Sequence, residues 1–135
     1  MNIVVDTNIF ISALINEGIT RSVILTSGFN FLFPEFEFEE IFNHKLEILD
    51  KSGLNEEEFN VLLLGLLRKV KIIRTEKVVG YHSKAKKIIG HIDKDDVMFI
   101  ATALAFGCGI WSDDKHFKMQ KKVGVYTAKE MWRSV

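Results

Sequence analysis

Residues 97–111 are fifteen consecutive residues without a charge, bracketed by two acidic clusters, Asp93/Asp95/Asp96 before them and Asp113/Asp114 after them. Such a run is shorter than the roughly 20 residues that cross a bilayer, and Gly107 and Gly109 interrupt it. It reads as a buried helix over 97–106 followed by a buried strand over 109–112. Asp95 or Asp96 opens the helix, and Gly107 stands where a helix ends in a left-handed turn. The unit therefore carries acid where its helix begins and where its strand ends. Whether the two clusters meet depends on the winding of the remaining chain.

That remainder alternates strand and helix. Residues 2–6 (N-I-V-V-D) form a short β-branched run closed by Asp6, followed by helices over 9–15 and 20–26. A second strand is expected over 29–33, with Pro34 opening a helix that reaches residue 49. Asn55 caps an acidic first turn and a helix through 67, a third strand spans 70–74, and a polar-faced helix spans 76–89. A fifth strand over 123–126 and a helix capped by Thr127 complete the chain. Recurrent strand–helix units predict an α/β fold, a parallel sheet with helices on both faces. In a sheet of order 3-2-1-4-5, Asp6 and Asp114 end neighbouring strands and converge at the switch point, where open α/β sheets place their sites.

At 135 residues and 47% apolar content, the chain fits one domain, 1–135, able to bury about two-thirds of its unfolded surface. A formal charge of zero argues against a polycation, so any nucleic-acid contact must be local. The single cysteine, Cys108, has no internal disulfide partner, and the N-terminus lacks the pattern of a secretory signal. A cytoplasmic, untargeted protein is expected. Cys108 reads as a packed thiol rather than a nucleophile.

Carboxylates gathered at one point repel each other unless a cation compensates them. Oxygen-only ligands favour Mg²⁺ or Mn²⁺, and the four histidines, His44, His82, His91 and His116, show no zinc-type spacing. Carboxylate-held Mg²⁺ serves phosphate chemistry.

Four segments occur together and in order: V-V-D-T-N-I-F-I-S-A-L, P-E-F-E-F-E-E-I, I-D-K-D-D-V-M-F-I-A-T-A-L and I-W-S-D-D-K-H-F. The combination resembles the PIN-domain family over essentially the whole chain. The resemblance implies a three-layer α/β/α fold and a Mg²⁺- or Mn²⁺-dependent ribonuclease, many relatives being toxins of prokaryotic toxin–antitoxin pairs. It puts the family's acidic quartet on Asp6, Glu40, Asp96 and Asp114, with Thr7, Asn8 and Ser112 in supporting polar positions. It further implies an RNA substrate and a cognate antitoxin. The last motif departs from the pattern: many relatives carry Asn or Arg at the position of Asp113 and a further acid at that of His116.

Each acid also has a plain reading. Asp6 and Asp96 could serve only as helix caps, but three acids in the four residues 93–96 exceed what capping needs. Asp93 and Asp95 read as solvated turn residues or outer neighbours of a metal. Glu40 falls opposite the apolar stripe of its helix, and only the motif selects it over Glu35, Glu37 and Glu39. Lys115, Lys118, Lys121 and Lys122 follow Asp114 directly and could meet RNA phosphates. A receiver domain would need a phosphorylatable Asp after strand three, where Arg74-Thr75 stands; an Asp-nucleophile phosphatase would need D-x-D in place of Asp6-Thr7-Asn8. Neither glycine-rich nucleotide-binding motif occurs. A catalytically silent PIN-like module that binds RNA or protein is the non-enzymatic alternative. The apolar breadth of residues 59–67 further predicts a homo-oligomer, most simply a dimer.

Overall fold

The computed structural model describes residues 1–93 and 96–135, so the expectations placed on Asp95 lie outside the described residues. β1 (Asn2–Val5) occupies the middle of a parallel sheet of order β3-β2-β1-β4-β5. Its other strands are β2 (Asn30–Pro34), β3 (Val70–Ile73), β4 (Gly109–Trp111) and β5 (Val125–Tyr126). Ile3 pairs with Phe31 on one side and Gly109 on the other. Ile3, Val4 and Val5 are fully buried, which is why the central strand is a continuous β-branched run rather than an alternating one.

Helices cover both faces. α7 (Val97–Phe106) lies on β1, β2 and β4, with α6 (His82–Ile89) packed against it. On the other face α1 (Thr7–Ile15) packs against α2 (Ile19–Thr26), α4 (Lys45–Ser52) and α5 (Glu56–Leu67), and α9 (Ala128–Arg133) joins α2. The result is the expected three-layer α/β/α architecture. α7 is apolar all round because it is sandwiched, with seven of its residues buried, Val97 to Ala103. Gly107 ends it at φ 61°, a left-handed conformation that L side chains resist, although a Cβ there would touch nothing within 4 Å. No single helix among the described residues is long and apolar enough to cross a membrane.

Differences from expectation concentrate between β2 and α4. Pro34 closes β2, paired with Ile73, instead of opening a helix. The expected helix over 34–49 divides into a 3₁₀ turn (Glu35–Glu37), α3 (Phe38–Asn43) and α4, with the break at His44 (φ −97°, ψ 8°). Four glutamates in residues 35–40 put like charges a turn apart, which weakens a continuous helix, and Glu35 instead accepts the Thr75 N–H at 3.2 Å. The segment over 76–89 begins as two 3₁₀ turns (Thr75–Lys77 and Val79–Tyr81) before α6. α8 (Lys115–Lys118), unforeseen in the sequence, follows β4 directly.

Candidate active site

The order β2-β1-β4 brings the ends of β1 and β4 together, and the Asp6 N–H donates to Trp111 O at 3.0 Å. From there Asp6 and Asp114 are tied by one hydroxyl. Ser112 Oγ donates to Asp6 Oδ2 at 2.6 Å and accepts the Asp114 N–H at 2.9 Å, and Ser112 is fully buried. Asp6 also accepts the Asn8 N–H at 3.4 Å as the N-cap of α1, and Asp114 Oδ1 accepts the His116 N–H at 2.9 Å as the N-cap of α8. For these two acids, capping and a functional role coexist.

Asp96 is different. It precedes α7, yet its side chain makes no capping hydrogen bond, and Oδ2 is buried without a hydrogen-bond partner among the described residues. The residue is only 8% exposed. Burial, then the charge and hydrogen bond of Asp93, then the charges of Asp6 and Asp114 push its carboxyl up to about 8. Burial raises Asp6 as well; the Ser112 and Asn8 hydrogen bonds oppose that rise and the Asp114 charge adds to it. Asp96 thus responds to the charges of Asp93, Asp6 and Asp114, and Asp6 to that of Asp114.

Glu40 reaches the same place from α3. A cleft of about 340 Å³ is lined by Asp6, Thr7, Asn8, Glu37, Glu40, His44, Asp96 and Phe99. Thr7 Oγ1, on its wall, is a second buried oxygen without a hydrogen-bond partner among the described residues. Phe99 belongs to an aromatic series, Phe10–Phe33–Phe99–Phe117, with centroids 5.7 to 6.3 Å apart, that packs beneath the acids. Glu40 itself stays accessible, 3.6 Å from His44 Nε2, and Asn43 approaches it at 3.5 Å.

One ligand atom from each of Asp93, Asp96, Asp114 and His116 falls within 4.8 Å of the others, the span that a single ion can bridge. Asp93, read from the sequence as a solvated turn residue or an outer neighbour of a metal, belongs to this cluster, whereas Asp6 and Glu40 line the adjoining cleft. Asp113 points elsewhere: its Oδ1 accepts the N–H of Ala128, the first residue of α9, at 2.9 Å. Lys118 pairs with Glu130 at 3.1 Å, while Lys115, Lys121 and Lys122 are exposed. Sequence reasoning marked His116 only as a departure from the motif and did not place His44 at the cleft. The signal for His116 was its position two residues after Asp114, where many relatives carry a further acid; that for His44 was its place one helical turn after Glu40.

Two carboxylates, Asp6 and Asp96, raised by burial and by neighbouring acids, two buried oxygens without a partner among the described residues and an ion-sized cluster of ligand atoms suit a divalent-cation site, and the residues present fit one. The arrangement is that of a three-layer α/β protein with a metal-competent acidic site at the sheet's switch point. Residues 4–131 match the family model described as PIN domain, and the chain belongs to the PIN-domain family. No curated protein matches it. PIN domains are generally nucleases, and the acidic cluster is compatible with that activity.

Proposed function

We propose that the protein is a Mg²⁺- or Mn²⁺-dependent ribonuclease that hydrolyses RNA phosphodiester bonds, acting as the toxin of a toxin–antitoxin pair in the cytoplasm. The observation that carries this reading is the convergence of Asp6, Asp96 and Asp114, with Asp96 Oδ2 buried and unpartnered among the described residues. Once bound, a divalent ion would neutralise these carboxylates and act as a Lewis acid toward water or phosphate oxygen.

The chain's own contributions follow from their places. Asp96 and Asp114 offer carboxylate oxygens, and Asp6 offers one held in position by Ser112. Glu40, on the open side of the cleft, either adds a ligand or accepts a proton from an attacking water. Phe99 closes the inner wall against solvent. Exposed Lys115, next to Asp114 in the chain, is the lysine best placed to meet a backbone phosphate of the RNA, whereas Lys122 lies with Asn2 and Gly109 at the other end of β1 and β4. Attack of water on phosphorus with cleavage of the P–O3′ bond, the 3′-oxygen leaving and taking up a proton, would give a 3′-hydroxyl and a 5′-phosphate.

A silent RNA- or protein-binding module is the second reading, favoured by one observation: Asp6 and Glu40 stand outside the ion-sized cluster. The test is cleavage of single-stranded RNA with Mn²⁺, with EDTA and with Asp6→Asn. Loss of cleavage in the variant and in EDTA supports the enzyme; RNA binding unaccompanied by cleavage in the wild type supports the module.

A further inference from the structure

His116 sits in the first turn of α8 with Nδ1 3.0 Å from Asp93 Oδ2 and 3.5 Å from Asp114 Oδ1. Read plainly, this is a half-exposed histidine–carboxylate pair, worth little to stability. Two features exceed that reading. The group gathers three carboxylates around one imidazole. One of the three, Asp96, is more than nine-tenths buried and ends in an oxygen without a hydrogen-bond partner among the described residues.

The distances complete the case. Nitrogen and oxygen ligands sit roughly 2.0–2.4 Å from a first-row divalent ion, so two atoms on one ion stand at most about 4 to 5 Å apart. All four ligand atoms here meet that limit, at 4.8 Å or less. His116 and Asp93, now in contact at 3.0 Å, would both be in reach of an ion placed among the four residues.

We infer that Asp93, Asp96, Asp114 and His116 form a mixed oxygen–nitrogen subsite for a first-row divalent transition ion, with the His116 imidazole as a direct ligand. The subsite adjoins the Asp6–Glu40 side of the cleft through Asp96, which lines both. An imidazole among carboxylates moves preference away from Mg²⁺, which keeps oxygen and water, and toward Mn²⁺ and the later ions. The inference rests on the reading of this cleft as a metal site, and not on ribonuclease activity.

The probe is Mn²⁺ alone, added to metal-free protein without RNA. Pulsed electron paramagnetic resonance is expected to show the ¹⁴N coupling of a directly bound imidazole in the wild type and in His82→Ala, an exposed histidine on α6 that is not among the four clustered residues. In His116→Ala the coupling vanishes, and calorimetry shows Mn²⁺ affinity falling by about tenfold or more while Mg²⁺ affinity hardly changes. His116 is about half exposed, so the variant is expected to fold, and its circular dichroism checks this. Bound Mn²⁺ without nitrogen coupling in the wild type, or coupling that survives in His116→Ala, overturns the assignment of His116 and leaves an oxygen-only site standing. Absence of any Mn²⁺ binding overturns the metal-site reading with it.

Discussion

At the scale of single residues, the site depends on groups whose burial works against their ionisation. Ser112 holds Asp6 Oδ2 and the Asp114 N–H with one hydroxyl. Ser112→Ala leaves both without that partner in a buried place, so the metal-free protein is expected to lose about 1–3 kcal/mol in urea denaturation. Metal affinity should drop about tenfold, because an outer hydrogen bond that orients a ligand is removed. Asp96 predicts a pH dependence. Its folded value of about 8 lies above the 3.8 of an ordinary Asp, so between about pH 4 and pH 8 the folded state holds more protons than the unfolded one. Stability of the metal-free protein therefore falls as pH rises through that window, and is greatest at its acid end as far as this group is concerned. Asp96→Asn should flatten the slope in melting curves between pH 5 and 8. Mn²⁺ should oppose the decline in the wild type and release protons at pH 7.

At the scale of elements, what mattered was how local signals were terminated. α7 and Gly107 were legible in the sequence because an uncharged run, an acidic start and a glycine stop all agree. The stretch after β2 was not, because periodicity sees the apolar residues of 34–49 and not the repulsion among Glu35, Glu37, Glu39 and Glu40. α8 was hidden by its brevity, and with it the neighbourhood of His116. The loop after α8 is pinned by a polar residue that pattern reading passes over. Gln120 is buried, donates to Phe117 O and Val123 O at 2.8 Å, and accepts the N–H groups of Lys122 and Val123 at 2.9 Å. Gln120→Ala removes all four contacts and is expected to destabilise the protein by about 2–4 kcal/mol. Hydrogen exchange should quicken first between residues 117 and 123, ahead of the sheet.

At the scale of the whole molecule, the strand order 3-2-1-4-5 does most to turn scattered acids into a site; the alternation of strands and helices implies a parallel sheet, and this order entered the sequence reading only as the condition under which Asp6 and Asp114 would meet. Asp6 and Asp114 met as that order demands, through Ser112. Glu40, which helical periodicity placed on the surface, reaches the cleft because α3 is short and turns away from α4 at His44. Only the motif could have selected it. On α5, Val61 and Leu64 are 68% and 59% exposed, three residues apart on one face. Self-association through this face is expected: light scattering over a hundredfold concentration range should give a mass above the 15.5 kDa of one chain, and Leu64→Glu should return it to that value.

The central claim is that the clustered acids make this fold a metal-dependent RNA hydrolase, and the products of cleavage test it most directly. End-labelled RNA incubated with the wild-type protein and Mn²⁺ should yield 5′-phosphate and 3′-hydroxyl ends, with no product in EDTA and none from a folded Asp96→Asn. Cleavage that persists in EDTA, that leaves 2′,3′-cyclic phosphate, or that Asp96→Asn performs at the wild-type rate would contradict it.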